Sequence, residues 1–117
     1  MQRYMLKSKI HRAVLTGTDI DYEGSITIDP ILLEAADILP NEQVHVLNLN
    51  NGSRITTYAI AGKRGSGTVL LNGPAARSGM AGDIVVILTY ANFDEKKIKQ
   101  HKPIIVKVNK QNEIVAP

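Results

Sequence analysis

Residues 43–60 read QVHVLNLNNGSRITTYAI, and no other part of the chain indicates its local structure so clearly. Apolar and polar residues alternate on both sides of Asn51-Gly52, a dipeptide strongly preferred in two-residue β-hairpin turns. The pattern predicts two antiparallel strands, at residues 43–50 and 53–60, joined by that turn. Asn51-Gly52-Ser53 also matches a glycosylation acceptor, but the hairpin turn accounts for the same residues.

Further strand patterns flank this hairpin. In the first of them, Leu6, Ile10 and Val14 share one face, and the other face is polar. The predicted strands run through Thr16 and lie around residues 25–28, 68–71, 83–90 and 103–108.

Two short helices are predicted between the strands. Asp29-Pro30 combines an N-cap carboxylate with proline at the first helical position. Apolar residues then recur at helical spacing as far as Leu39, and Pro40 ends the pattern. Residues 93–100 form the second candidate helix. Six or seven short strands with two short helices favour a mainly β fold, and specifically a closed β-barrel, because closure leaves no long exposed strand edge.

Composition limits the class of protein. The chain has 117 residues, of which 44% are apolar and 21% charged, which suits one globular domain spanning residues 1–117. It has no cysteine, which excludes disulfides, thiolate nucleophiles and cysteine-ligated metals. The longest aliphatic run, residues 84–88, is far shorter than the ~20 residues of a membrane span. We expect a cytoplasmic chain with no membrane partner.

Positive charge is concentrated in the second half. Residues 59–117 hold nine Lys or Arg against four Asp or Glu. One alternative is therefore a non-catalytic barrel that binds polyanions through its basic C-terminal third. Single-stranded nucleic acid would also require stacking aromatics, and the chain has four Tyr, one Phe and no Trp. A solvated surface is the favoured interpretation of these lysines, with no nucleic-acid partner.

Common catalytic motifs are incomplete. No P-loop, dinucleotide-binding fingerprint, His-Glu-x-x-His helix or Gly-x-Ser-x-Gly elbow can be read in the sequence. Asp19, Asp21 and Glu23 share a parity and could ligate a hard cation, but no second oxygen cluster supports them. We therefore predict no metal site.

Several residues are unusual for plain structure, and together they carry a family resemblance. Gly24-Ser25 joins an acidic edge to a strand. The informative stretches, in order, are Lys9-Ile10-His11-Arg12, Tyr22-Glu23-Gly24-Ser25 with Ile28-Asp29, Asn51-Gly52 with Arg54 and Thr57-Tyr58-Ala59-Ile60, Arg64-Gly65-Ser66, Leu71-Asn72-Gly73 with Ala75-Ala76, and Gly82-Asp83-Ile84-Val85. In this order, from the first strand through Tyr90, the sequence resembles the pyruvoyl-dependent aspartate 1-decarboxylases.

The resemblance implies a fold and an activity. The fold would be a double-psi β-barrel assembled as a homotetramer, with active sites between subunits. The reaction would convert L-aspartate to β-alanine and CO2 for pantothenate, and hence coenzyme A, biosynthesis. The resemblance leaves open whether a maturation factor is an additional partner, and an uncleaved, inert tetramer is a further alternative.

The resemblance also implies a cofactor made from the chain itself. Autocatalytic cleavage between Gly24 and Ser25 would turn the zymogen into residues 1–24 (β chain) and residues 25–117 (α chain). Ser25 would become a covalently bound pyruvoyl group, which forms a Schiff base with the substrate and replaces PLP or a metal. Tyr58 would be the proton donor, since a neutral phenol can protonate a carbanion.

The remaining site residues follow by the same resemblance. Lys9 and Arg54 would bind the substrate carboxylates, although which residue holds which carboxylate is not assigned. Substrate contacts are also implied for Thr57, Asn72, Gly73, Pro74 and Ala75, and support of processing for Tyr22 and Thr57. Pro74 stands where the family commonly has alanine, and because proline has no N–H, the backbone nitrogen of residue 74 cannot donate a hydrogen bond to the substrate.

Overall fold

The computed structural model describes residues 1–116 of the chain. These residues form eight strands, one α-helix and two 3₁₀ helices. In chain order the elements are β1 (Gln2–Val14), β2 (Gly17–Asp19), β3 (Ser25–Ile28), α1 (Pro30–Ala35), β4 (Gln43–Asn48), β5 (Arg54–Ala61), β6 (Val69–Asn72), a first 3₁₀ helix (Gly73–Ser78), β7 (Ile84–Asp94), a second 3₁₀ helix (Glu95–Gln100) and β8 (Ile104–Lys107). The predicted mainly β fold is confirmed.

The strands form one mixed sheet in the order β2-β6-β3-β5-β4-β7-β1-β8. Strand pairs β2-β6, β3-β5 and β1-β8 are parallel, and the others are antiparallel. Only Leu15 and Thr16 connect β1 to β2, although these strands lie near opposite ends of the order. Such a connection spans at most about 11 Å, whereas six strand spacings in a flat sheet span about 29 Å. The sheet must therefore curl until its ends meet, in keeping with the predicted double-psi β-barrel.

The first strand contains a β-bulge that the sequence pattern did not reveal. The β1–β7 register shifts between Ile10 and Ala13, and Arg12 has φ 64°. The extra residue changes which parity faces inward, so Ala13 and Leu15 are buried. The prediction that Val14 shares the inward face of Ile10 is wrong, since Val14 is only half-buried.

The predicted β4–β5 hairpin is confirmed, but the prediction that a two-residue turn joins its strands is wrong. Strand pairing ends at Leu47 and Arg54, which leaves a longer connection. The buried side chain of Asn48 accepts hydrogen bonds from the N–H groups of Asn50 and Asn51 at 2.8 and 3.3 Å. These bonds stabilise a wider loop, within which Gly52 has φ 75°.

Helix α1 begins as predicted and ends earlier. Asp29 is its N-cap and Pro30 its first residue. The last helical residue is Ala35, and Asp37 has the left-handed φ of 55° that turns the chain away. Leu39 lies outside the helix and is 67% exposed, so its assignment to the helical apolar face is wrong.

The core fills the interior of the curled sheet and extends under α1. Its members are fully buried aliphatic side chains, each stabilising the fold by about 1.5–3 kcal/mol relative to exposure. They include Ile10, Ile26, Ile28, Leu32, Val44, Val69, Leu71, Val85 and Ile87. Because Ile26 and Ile28 belong to this core, strand β3 is held firmly in place.

The carboxylate of Asp29 joins α1 to the loop before β6. One oxygen accepts the N–H groups of Ile31 at 2.9 Å and Gly65 at 3.1 Å, and the other accepts Gly67 N–H at 2.9 Å. Burial opposes ionisation, but these backbone bonds and the nearby Arg64 hold the pKa of Asp29 below its ordinary value of 3.8.

Replacing Asp29 by alanine should lower the free energy of unfolding by about 2–4 kcal/mol, because it removes a helix cap and two further charge-assisted hydrogen bonds. A lowered folded-state pKa stabilises the protein above the ordinary pKa of 3.8, and this contribution is lost as pH falls through the folded-state pKa. In urea denaturation at pH values from 7 downward, the difference in free energy of unfolding between the parent chain and the Asp29→Ala variant should become smaller as pH falls through the folded-state pKa. Exposed Asp21, replaced by alanine, is the control. A difference in free energy of unfolding that does not change with pH would contradict the stabilising role of the ionised Asp29 carboxylate.

Candidate active site

Ser25 and Asn72 meet across neighbouring strands. They are paired residues in the antiparallel β3–β6 ladder, and 0% and 2% of their respective surfaces are exposed. The Asn72 amide nitrogen donates to the Ser25 hydroxyl oxygen at 2.9 Å and to the Thr27 hydroxyl oxygen at 2.8 Å. The Ser25 oxygen is thus held in place while its own proton stays free for another acceptor.

Backbone approaches the Gly24-Ser25 bond from the adjacent turn. Gly73 begins the first 3₁₀ helix with φ 59°, and a β-carbon there would lie 2.7 Å from the Tyr22 carbonyl oxygen and 2.8 Å from the Gly24 nitrogen. The Pro74 ring lies 3.5 Å from where a β-carbon on Gly24 would stand. Glycine is required at position 73 for both its φ and this close approach.

A cavity of about 340 Å³ opens beside this contact. Its wall is formed by Gly24, Ile55, Thr56, Thr57, Pro74, Ala75 and Ser78. Of the predicted site residues, Thr57, Pro74 and Ala75 border this space. Pro74 is the second residue of this helix and lies in its first turn, where a missing N–H is well tolerated.

A family model described as aspartate decarboxylase matches residues 1–115. The chain belongs to the aspartate decarboxylase family. It is 56% identical over 115 residues to the aspartate 1-decarboxylase of Thermoanaerobacter pseudethanolicus, covering 98% of both chains. It is 57% identical over 112 residues to that of Syntrophobacter fumaroxidans, covering 96% of this chain and 90% of the relative. It is 52% identical over 115 residues to that of Staphylococcus aureus, covering 98% and 91%. These relatives confirm the resemblance read from the sequence.

In this member of the aspartate decarboxylase family, Tyr58 and Arg54 lie on β5 outside the wall of the Gly24 cavity. Tyr58 is 38% exposed, and the Arg54 guanidinium donates to the Tyr90 hydroxyl at 3.4 Å. Tyr22 is 53% exposed and reaches the site through its backbone carbonyl. A single chain therefore gathers Gly24, Ser25 and Asn72 closely, with Tyr58 one strand away.

Lys9 lies on a strand that does not pair with β3. It is half-buried on β1, and strands β5, β4 and β7 separate β1 from β3 in the sheet order. Within residues 1–116, ion pairs are formed by other cations, and neither Lys9 nor Arg54 has a carboxylate partner. Both cations are consequently open to an anionic ligand.

The neighbourhood of Lys9 is strongly cationic. Partial burial, followed by the positive charges of Lys9, Arg12 and Lys107, lowers the pKa of His11 below 6.5. This lowered pKa favours the neutral form of His11, so the lasting positive charge of this surface comes from lysine and arginine.

Three wider features bear on the alternatives. The described part of the chain, residues 1–116, holds no group of three metal-binding side chains. None of the helices in the same residues is long and apolar enough to cross a membrane. The C-terminal lysines are exposed, as expected of a solvated surface, namely Lys96, Lys97, Lys99, Lys102, Lys107 and Lys110.

The sequence reading missed Thr27 and Ser78. Thr27 lies two residues after Ser25, on the same face of β3, and its hydroxyl accepts the second amide hydrogen of Asn72. Strand parity alone could therefore have identified it. Ser78 reaches the cavity only through the path of the 3₁₀ helix, and no sequence signal points to it.

Proposed function

We propose that this chain is an aspartate 1-decarboxylase that prepares its own cofactor by cutting the backbone between Gly24 and Ser25. The observation that carries the proposal is the buried Ser25 hydroxyl, held by Asn72 directly after a side-chain-free Gly24, in a chain of the aspartate decarboxylase family. L-Aspartate is the substrate, and β-alanine and CO2 are the products. The single domain of residues 1–117 would end as residues 1–24 and 25–117.

Cleavage uses atoms already adjacent in the chain. The Ser25 oxygen attacks the Gly24 carbonyl carbon, and the amide becomes an ester as the Ser25 nitrogen leaves with a proton. Loss of the Ser25 α-proton then expels the Gly24 carboxylate and leaves dehydroalanine at residue 25. One water hydrolyses its imine form, releasing ammonia and leaving a pyruvoyl group. Tyr22 and Thr57, beside the same bond, are the proposed supports of this rearrangement.

The surrounding residues fit that group. Asn72 supplies an amide donor at the position of the Ser25 oxygen, which suits a carbonyl oxygen equally well. A pyruvoyl group supplies a ketone that takes up the substrate amine and withdraws electrons from the bond to the departing carboxylate. Thr57, Asn72 and the turn at residues 73–75 would contact the bound substrate.

The substrate carries two carboxylates, and within residues 1–116 neither Lys9 nor Arg54 is paired with a carboxylate of the chain itself. Lys9 and Arg54 are proposed to bind the substrate carboxylates, Arg54 through two parallel hydrogen bonds. The family resemblance further leads us to propose a homotetramer with active sites between subunits. Tyr58 is proposed to return a proton to the substrate α-carbon.

The product gives the protein a place in metabolism. β-Alanine is the amine component of pantothenate, so the enzyme would serve pantothenate and coenzyme A biosynthesis in the cytoplasm. A maturation factor would act on the rate of cleavage.

The denatured intact mass of the purified protein tests the proposal, measured before and after prolonged warm incubation. We expect two species, residues 1–24 and residues 25–117, the larger lighter by one ammonia than a fragment beginning with serine. Incubation with L-aspartate should then yield β-alanine and CO2 in equal amounts. A single 12.8 kDa species that persists on incubation and forms no β-alanine would contradict cleavage by the chain alone, and the same result with a maturation factor present would contradict the proposal.

A further inference from the structure

The carbonyl oxygen of Ser78 accepts three side-chain hydrogen bonds. The donors are Asn48 Nδ2 at 3.3 Å, Asn51 Nδ2 at 2.9 Å and Ser53 Oγ at 3.1 Å. All three come from the end of β4 and the turn that leads to β5. A carbonyl oxygen has two lone pairs, so one or two donors would satisfy it. Three donors from one loop fix the position of this oxygen from several directions.

Ser78 is the last residue of the 3₁₀ helix that begins at Gly73. The first residue of this helix, Gly73, lies against the backbone of Tyr22 and Gly24. No side chain caps the start of the helix. Six residues at about 2.0 Å rise make a rod of about 12 Å. The helix therefore contacts the Gly24 backbone at its first residue, and side chains of the β4–β5 connection hold it at its last residue through the Ser78 carbonyl.

The same residue also borders the cavity. Ser78 lines the wall that contains Gly24, Thr57 and Ala75. A shift of the Ser78 end would move residues 73–75 relative to Gly24 and change the shape of this space.

We propose that Asn51 and Ser53 are positioning residues for this site. By holding the Ser78 carbonyl, they set how closely residues 73–75 approach Gly24 and the bound substrate. The inference rests on the proposed function, and it gives the Asn51-Gly52-Ser53 motif a role in the active site. Asn48 is less suited to a test, because it also donates to Asp83 at 2.9 Å and shapes the turn itself.

The test combines Asn51→Asp with Ser53→Ala. The aspartate keeps the oxygen that accepts Ser53 N–H at 2.9 Å but loses the donor to Ser78. Ser66→Ala is the matched control, since it removes a turn hydroxyl that donates to the Lys63 carbonyl and lies by a different cavity. Ser53→Thr keeps the hydroxyl and serves as the rescue.

Two readouts are taken on the full chain. We expect amide hydrogen exchange in residues 75–78 to rise about fivefold in the double variant, and KM for L-aspartate to rise by a similar factor, as for the loss of about one hydrogen bond. The value of kcat per cleaved chain should stay within about twofold, because the reacting groups are untouched. Ser66→Ala should change neither readout, and Ser53→Thr alone should behave as the parent chain.

If exchange and KM in the double variant match those of Ser66→Ala, the three bonds only satisfy a carbonyl and the proposal is wrong. If the parent chain forms no β-alanine, the proposed function fails, and exchange then decides the positioning role by itself. Faster exchange in residues 75–78 supports the role, and unchanged exchange overturns it.

Discussion

The Ser25→Ala protein should stay in one piece and lose aspartate decarboxylation by at least about 10⁴-fold, since the covalent route is removed entirely. The hydroxyl of Ser25 is the nucleophile of the backbone cut, and no other hydroxyl is adjacent to the Gly24 carbonyl along the chain. Alanine cannot form the ester, so no ketone arises to take up the substrate amine. Intact mass and a β-alanine assay on the same sample measure both losses.

The fold of this variant must be checked alongside. Removal of the Ser25 oxygen leaves one Asn72 N–H without its acceptor, at a cost of about 1–3 kcal/mol, while its bond to Thr27 remains. A thermal melt followed by circular dichroism should show a folded protein with a lowered Tm. Ser25→Cys keeps a nucleophile that can undergo the same acyl shift and elimination, and it should recover part of the cleavage. Full decarboxylation by Ser25→Ala would refute the mechanism.

Most of the secondary structure follows from the sequence because alternation of apolar residues reports burial directly. The strands around Ile26, Val46 and Leu71 are in this class, and all three side chains are buried. The pattern fails where one residue changes the geometry. The bulge at Arg12 reverses the parity of β1, and the Asn48 side chain widens the turn that Asn51-Gly52 would otherwise close.

Sequence patterns predict the site residues less well than they predict the fold. Ser25 and Asn72 are 47 residues apart, and they meet because β3 and β6 pair in one particular register. No local signal encodes that register, so only the family resemblance points to these two residues.

The Tyr58→Phe protein should cleave normally and turn over aspartate about 10²–10³-fold more slowly, as expected for loss of a positioned proton donor. The parallel β3–β5 register pairs Ile26 with Ala59, so Ser25 and Tyr58, each one position earlier, share the opposite face at the same level. Phenylalanine keeps the ring, which occupies a partly exposed place on β5, and removes only the hydroxyl. Cleavage needs no proton from that hydroxyl, because the Ser25 chemistry takes place between adjacent residues.

The comparison of kcat with KM identifies the role. Loss of a proton donor acts on the reaction step, so kcat per cleaved chain should fall while KM for L-aspartate changes by less than about threefold. Tyr4→Phe is the matched control, since Tyr4 is 78% exposed on β1 and should keep parent turnover. A Tyr58→Phe protein that stays uncut would place the hydroxyl in processing instead. One that is cleaved and turns over at the parent rate would require another proton donor, because the ring alone cannot supply the proton that the α-carbon gains when CO2 leaves.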